Sequence, residues 1–211
     1  MKYIIMCNGN NSSFETPRHL SVIKGERIVD RTIRLLKENG AKNIYISSDN
    51  KLFDSCGVPR LKHKRNYVCN YWLDAFYKVD EPVCYIFGDV YFTESAIRTI
   101  VNYETDRNVL FGTSIARNGF HKNWGEPFAY IVNDYETFHK GIEEVKKLKD
   151  EGKLLREPIV WELYRYLHNL DVNVQEITED YVDIDDGTMD VDNPKKLEEV
   201  REYFEKIKIE K

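Results

Sequence analysis

The sequence predicts an α/β protein, three layers (α/β/α) built around a mostly parallel mixed sheet of Rossmann-like kind. Three observations predict it. Apolar runs of strand length alternate with amphipathic segments of helix length, the pattern of strands joined by crossover helices. The first run, Tyr3-Ile4-Ile5-Met6-Cys7, is continuously apolar, as a strand covered on both faces requires. The 211 residues are 42% hydrophobic and 32% charged, with no repeat, low-complexity stretch or Pro/Gly/Ser linker, so one domain is expected over 1–211.

Tyr3 to Cys7 is the first strand, and a polar stretch follows from Asn8 to Lys24. A helix is expected over about Glu26 to Asn39. Ile28, Val29, Ile33 and Leu36 share one stripe, and Gly40 stops it. Asn43 to Ser48 is the second strand. Asn66 to Val79 reads as a helix carrying Tyr67, Tyr71, Trp72, Ala75 and Phe76, with the core as the simplest destination for those rings. Pro82 to Gly88 is the third strand and ends at Asp89. Ser95 to Tyr103 reads as a helix, Asn108 to Thr113 and Glu126 to Val132 as strands, and Tyr135 to Asp150 as a helix. Pro158 opens another helix, with Ile159, Leu163 and Leu167 at steps of four. Val172 to Ile177 reads as a strand. The last helix starts at Asn193-Pro194, a cap followed by a first-turn proline, and should bury Leu197, Val200 and Phe204.

Composition excludes several classes of function. A net charge of −5 lacks the electrostatic footprint of a nucleic-acid binder. No apolar run approaches the roughly 20 residues that span a bilayer, so no membrane role is expected. Met1-Lys2 leads straight into a strand-like run rather than a signal peptide, and the expected compartment is the cytoplasm. Cys7, Cys56, Cys69 and Cys84 lack the short paired spacing of a zinc site and read as buried free thiols. None of the five histidines pairs with a Cys or Ser in the manner of a nucleophilic triad.

In a parallel α/β sheet, ligands bind beyond the carboxyl ends of the strands. That rule selects Asn8 to Lys24, Ser47 to Asn50 and Gly88 to Tyr91. The first segment opens Asn8-Gly9-Asn10-Asn11-Ser12-Ser13, small polar residues that let backbone N–H groups face an anion. Its one glycine makes neither a P-loop nor a dinucleotide fingerprint. Gly88-Asp89 puts a carboxylate at the ligand edge, where Mg²⁺ takes one or two carboxylates plus phosphate oxygens. A loop carboxylate there should contribute little to the core. Asp183 to Asp192 holds five Asp in ten residues, but its glycine comes one place early for an EF-hand and Pro194 stands where the bidentate Glu belongs. Asp183, Asp185 and Asp186 read as a solvated loop. Asp190 and Asp192 alternate about Val191, so an extended segment shows both on one face. The cluster Arg60, Lys62, His63, Lys64 and Arg65 could attract a phosphate, but a solvated charge run is the simpler reading.

Taken in order, these pieces resemble the nucleotidyltransferases of the nucleotide-diphospho-sugar transferase superfamily, from residue 1 to about 205. Gly9 opens a counterpart of the family's Gly-rich signature and Pro17-Arg18 closes it. Ile28 to Ile33 is similar to the family's first helix and Asn43 to Ser48 to its second strand. Tyr85-Ile-Phe-Gly-Asp89-Val-Tyr-Phe resembles the strand that delivers its metal-binding Asp. Asp190-Val-Asp192-Asn193-Pro194-Lys-Lys-Leu197 resembles its closing motif. Ser13 stands where the family carries an Arg, and Arg18 where it carries a Lys.

The resemblance implies transfer of a nucleotidyl group from a nucleoside triphosphate to a sugar phosphate or small phosphorylated alcohol, with release of pyrophosphate. It implies Mg²⁺ on Asp89 with Asp190 or Asp192. Arg18 and Lys24 would serve as phosphate cations. Asn8, Gly9, Asn10, Asn11, Ser12, Ser13 and Gly88 would lie at the nucleotide. Asn70, beside Tyr67 and Tyr71, is similar to a nucleotide-holding Asn of phosphocholine-type cytidylyltransferases and hints at CTP. Trp124, Gly125 and Glu126 would meet the acceptor. A glycosyltransferase on the same fold and a nucleotide-binding or scaffold protein without turnover stay open, as does a homo-oligomer. The single Asp after the central strand speaks against the Asp-x-Asp of the former, and Ser13 favours the latter.

Overall fold

The computed structural model describes residues 1–9, 13–64, 72–113 and 125–206. Among these residues seven strands form the main sheet, in the order 181–183, 109–113, 126–132, 83–87, 2–6, 43–48 and 60–62. Strand β1 (Lys2–Met6) pairs in parallel with β4 (Asn43–Ser48) on one side and with β6 (Val83–Phe87) on the other. Strand β5 (Arg60–Lys62) extends the parallel edge from β4. Strand β9 (Glu126–Val132) runs antiparallel to β6 and to β8 (Val109–Thr113), and β10 (Tyr181–Asp183) runs parallel to β8. The sheet is therefore mostly parallel and mixed, with β9 its one reversed member among the described strands. It is flanked by helices, as the alternating pattern predicts.

Helix α1 (Ile28–Glu38) buries Ile28, Val29, Ile33, Leu35 and Leu36. Each such side chain contributes roughly 1.5–3 kcal/mol on leaving water. Gly40, at φ +90°, ends α1. Its N–H donates to Lys37 O and that of Ala41 to Leu36 O, the double bond of a Schellman cap. Helix α2 (Glu94–Val101) packs on α1, and α3 (Tyr135–Asp150) on α4 (Val160–Leu167). Helix α5 (Pro194–Lys206) joins a second, smaller core of Ile23, Ile28, Tyr91, Val191, Leu197, Val200 and Phe204. Two short pairs complete the described strands: the hairpin β2 (Val22–Ile23) with β3 (Glu26–Arg27), and β7 (Val90–Tyr91) with β11 (Met189–Asp190), both antiparallel. Among the described residues no helix is long and apolar enough to cross a membrane.

Three expectations need correction. The helix expected over 66–79 is, in its described part, only a 3-10 turn at Trp72–Ala75. Phe76 instead wedges edge-on against Tyr85 and Phe138, and the Tyr85 hydroxyl donates to Tyr77 O. The rings are core, but an irregular segment delivers them. The strand expected over Val172 to Ile177 is a turn, because the Asp171 carboxylate accepts the Asn173 N–H and Asp171 O accepts the Val174 N–H. The edge strand is instead β10, inside the acidic stretch. Asp186, expected in solvent, accepts from the Thr93 hydroxyl and from the Thr188 N–H, which ties that stretch to the start of α2. Cys7, Cys56 and Cys84 are buried free thiols as predicted, and Cys69 lies outside the described residues.

Gly88 shows how closely the strand ends approach. A Cβ there would stand 2.6 Å from Met6 O and 2.7 Å from Cys7 Sγ. Gly88→Ala is expected to cost about 1–3 kcal/mol by overpacking. It should lower the urea midpoint without changing the m value. An unchanged midpoint would show that the end of β1 yields.

Candidate active site

Parallel pairing brings the carboxyl ends of β1, β4, β5 and β6 to one edge of the sheet. Met6 lies opposite Phe87, so the loop after β1 and the turn after β6 are neighbours. The reversed direction of β9 brings its first residue, Glu126, to the same edge. Pairing of β11 with β7 sets Asp190 opposite Val90, and the Val191 N–H donates to Asp89 O at 2.8 Å. Asn193 then starts α5: its Oδ1 accepts the Lys196 N–H at 2.9 Å.

Among the described residues, Arg18 and Lys196 meet these carboxylates. The Arg18 guanidinium, in a short 3-10 turn after Pro17, donates to Asp89 Oδ2 in an ion pair, and its Nη1 stands 3.9 Å from Asp192 Oδ1. The Lys196 ammonium lies 3.4 Å from Asp190 Oδ1, with both side chains about nine-tenths buried. Burial pushes the Asp89 carboxyl up, but the Arg18 guanidinium, His19 and hydrogen bonding together hold the group below the usual range. Asp190 is raised, by burial first and by the Glu126 carboxylate second. Glu126 is pushed up to about 7 by burial and then by Asp192. Asp192 is also raised to about 7, by desolvation and then by Asp190. Half of the Asp192 side chain faces solvent (53%), so repulsion from its neighbours is the part of that shift that persists. Beside Asp89, burial lowers His19 to about 4, so it stays neutral at pH 7.

The donor set is oxygen only and mutually repulsive, which suits a hard divalent cation such as Mg²⁺ and not a metal that seeks thiolate or imidazole. Among the described residues no three His, Cys, Asp or Glu side chains form a ready metal-binding group. Arg18 and Lys196 are the counter-charges at Asp89 and Asp190. A cleft of about 380 Å³ opens over the ends of β1 and β4, lined by Cys7, Gly9, Ser48, Asp49 and Phe53. A larger one of about 830 Å³, between residues 72–80 and α3, includes none of these carboxylates.

The structure thus gathers Arg18, Asp89, Glu126, Asp190 and Asp192, and it reassigns several other candidates. Asp89 is no bystander to the fold, since it balances a largely buried guanidinium. Lys24 occupies the β2–β3 turn at φ +51°, with its ammonium 5.7 Å from the Phe204 ring centre rather than at the carboxylates. The Asn8 amide turns to Ser47 Oγ (3.2 Å) and His63 Nδ1 (3.1 Å). Gly88 is a close-packing residue. Gly9 adopts φ +132°, a conformation suited to glycine, at the mouth of the 380 Å³ cleft. Ser13 is exposed in a turn. The Gly125 carbonyl accepts the Trp161 indole N–H at 3.0 Å. Of the basic cluster, Arg60 pairs with Asp54 and His63 packs on Tyr77. Asn10, Asn11, Ser12, Arg65, Asn70 and Trp124 lie outside the described residues.

Lys196 and His19 escaped the sequence reading. The signal for Lys196 was present: a cation in the first turn of a helix opposes the macrodipole and calls for a nearby anion. Nothing local marked His19.

The described strands and helices form the α/β fold also found in solved nucleotidyltransferases that act on sugar phosphates and phosphorylated alcohols. The chain is similar to the CTP:phosphocholine cytidylyltransferase of Streptococcus pneumoniae, at 15% identity and TM-score 0.57, covering 96% of this chain and 98% of that one. It is similar to the inositol-1-phosphate CTP transferase of T. maritima, at 12% identity and TM-score 0.59, covering 98% and 96%. A candidate glucose-1-phosphate thymidylyltransferase of Bacillus anthracis matches at 14% identity and TM-score 0.61, covering 96% and 94%. At such identities the likeness establishes the fold. No protein-family model matches the chain, and no curated protein matches it in sequence.

Proposed function

We propose that this chain, acting as one domain over 1–211, is a Mg²⁺-dependent nucleotidyltransferase. A phosphate oxygen of a sugar phosphate or small phosphorylated alcohol attacks the α-phosphorus of a nucleoside triphosphate. The new P–O bond forms as the bond from the α-phosphorus to the bridging oxygen breaks, and pyrophosphate carries away the electron pair and charge. Such a displacement needs no protein nucleophile, only alignment and charge neutralisation. The observation that carries the reading is the convergence of Asp89, Asp190, Asp192, Glu126 and Arg18 at the carboxyl edge of a nucleotidyltransferase-like fold.

Asp89 with Asp190 or Asp192 would hold Mg²⁺, which when bound supplies positive charge for the triphosphate. Gly9 and the polar loop after it would lie along the phosphates. Arg18 would trade Asp89 for a phosphate oxygen. Glu126, at the first position of β9, would face the acceptor. The triphosphate donor fits a cytoplasmic setting, and CTP is the favoured nucleotide, as for the two cytidylyl-type relatives. A second reading, nucleotide binding without turnover, is favoured by one observation: Arg18 and Lys24 are engaged with Asp89 and Phe204.

Pyrophosphate release should be measured for each of the four triphosphates against glucose 1-phosphate, phosphocholine and inositol phosphate, beside calorimetry of each triphosphate. Release with CTP and one acceptor is expected. Triphosphate binding without release for any pair would select the second reading.

A further inference from the structure

The two ends of the polar segment after β1 carry buried polar atoms with no hydrogen-bond partner among the described residues. Asn8 spends its amide N–H groups on Ser47 Oγ at 3.2 Å and His63 Nδ1 at 3.1 Å. Burial favours the neutral His63 imidazole, whose Nδ1 can accept. Asn8 Oδ1 is left as an acceptor, shut off from solvent. At the other end, Arg18 turns Nη2 to Asp89, and its Nε is buried with no acceptor. His19 beside it is 1% exposed, with its ring edge-on to Phe53 and its Nδ1 without a partner. Buried polar atoms are costly to leave unpaired. Asn8, Arg18 and His19 line the same small cavity of about 20 Å³, walled on its apolar side by Met6, Trp72 and Phe87. A cavity above roughly 10–15 Å³ holds one water, which makes about three hydrogen bonds when buried. The three atoms also differ in sign. Arg18 Nε–H donates, Asn8 Oδ1 accepts, and a neutral imidazole nitrogen does one or the other. A cation there would meet the guanidinium, and an anion would meet the amide oxygen. A neutral molecule that both donates and accepts suits all three, and the volume admits nothing larger than water.

We propose that this cavity is an internal water site, in which one long-lived water accepts from Arg18 Nε–H and donates to Asn8 Oδ1, with His19 Nδ1 as its third partner. The water joins the two feet of the segment from Asn8 to Arg18. It also orients Arg18: the guanidinium is planar, so holding Nε fixes where the fork faces, and the fork faces Asp89. Neither nucleotide nor metal is needed for it.

The test uses the full chain without nucleotide or added metal. A high-resolution crystal structure should show one water within hydrogen-bond distance of the three atoms. In solution, nuclear Overhauser spectra should show a cross-peak from Arg18 Nε–H, assigned by its loss in Arg18→Ala, to water. Its sign marks a long-lived bound molecule rather than proton exchange. Asn8→Leu and His19→Phe keep the approximate shape of each side chain and remove the polar atom. Each should weaken the cross-peak and shorten the residence of the water, read by oxygen relaxation dispersion, by roughly 2- to 10-fold for the hydrogen bond lost. His63→Phe alters only the far side of the Asn8 amide and should keep the cross-peak. Thermal melts establish that each variant folds, and His19→Phe alone suffices if Asn8→Leu does not. No water at Arg18 Nε in the wild type, or an ion or side-chain atom in its place, would overturn the site. A cross-peak that survives unchanged in every folded variant of Asn8 and His19, or that is lost equally in His63→Phe, would overturn the bridging arrangement.

Discussion

Asp89→Asn is expected to lower pyrophosphate release by about 100- to 1000-fold, the loss seen when one preorganised electrostatic contact to a reacting centre is removed. The amide keeps the shape of the carboxylate and can still accept from Arg18, but it carries no charge for a cation. Stability should fall only modestly. The substitution removes the anion opposite Arg18, and it also removes a carboxylate that raises Asp190, Asp192 and Glu126. These effects oppose each other. The assay is a single-turnover measurement of pyrophosphate with Mg²⁺ and the preferred triphosphate, beside a urea titration of the same preparation. Near wild-type release in the variant would remove Asp89 from the site.

Arg18→Ala should show the reverse balance: a larger loss of stability and a smaller loss of rate. Without the guanidinium, Asp89 loses its ion-pair partner. Breaking a fully buried ion pair costs roughly 3–5 kcal/mol. Arg18 and Asp89 are each 20% exposed, so water screens part of that loss and about 1–3 kcal/mol is expected. Loss of one charge-assisted hydrogen bond to phosphate costs about 1.5–3 kcal/mol, or roughly 10- to 150-fold in triphosphate affinity or turnover. Arg18→Lys should recover part of both, because it keeps the charge but not the planar fork. Adding Asp89→Asn to Arg18→Ala should regain stability, since the stranded carboxylate is gone, and a double-mutant cycle isolates the coupling. A flat melting temperature in Arg18→Ala would contradict the ion pair. A flat triphosphate affinity beside a lowered melting temperature would assign Arg18 to structure alone.

Much of the fold could be read locally. Strand β4 over Asn43–Ser48, β9 over Glu126–Val132 and α3 over Tyr135–Asp150 fall where the pattern placed them, because their period and end signals lie within the segment. Asp89 was legible for the same reason, as a polar residue right after an apolar strand. Asp190 and Asp192 were legible as an alternating pair before a capped, proline-led helix. The segments misread were those whose conformation depends on distant partners. Strand β10 forms at Tyr181–Asp183 because β8 offers an open edge there, and Val172 to Ile177 turns because Asp171 bonds its own backbone.

The sequence by itself determined the class of the sheet, most of its elements and the sheet edge that carries Asp89, since hydrophobic period and strand-end position are local properties. Only the tertiary structure decided who pairs with whom. Arg18 meets Asp89 across 71 residues, and Thr93 meets Asp186 across 93. The β7–β11 pairing brings Asp190 beside the turn that carries Asp89, and Lys24 goes to Phe204 instead of the carboxylates. Charge and periodicity along a chain do not encode strand order. The engagement of each cation therefore followed from the sheet's topology and from the cost of burying a carboxylate without a partner.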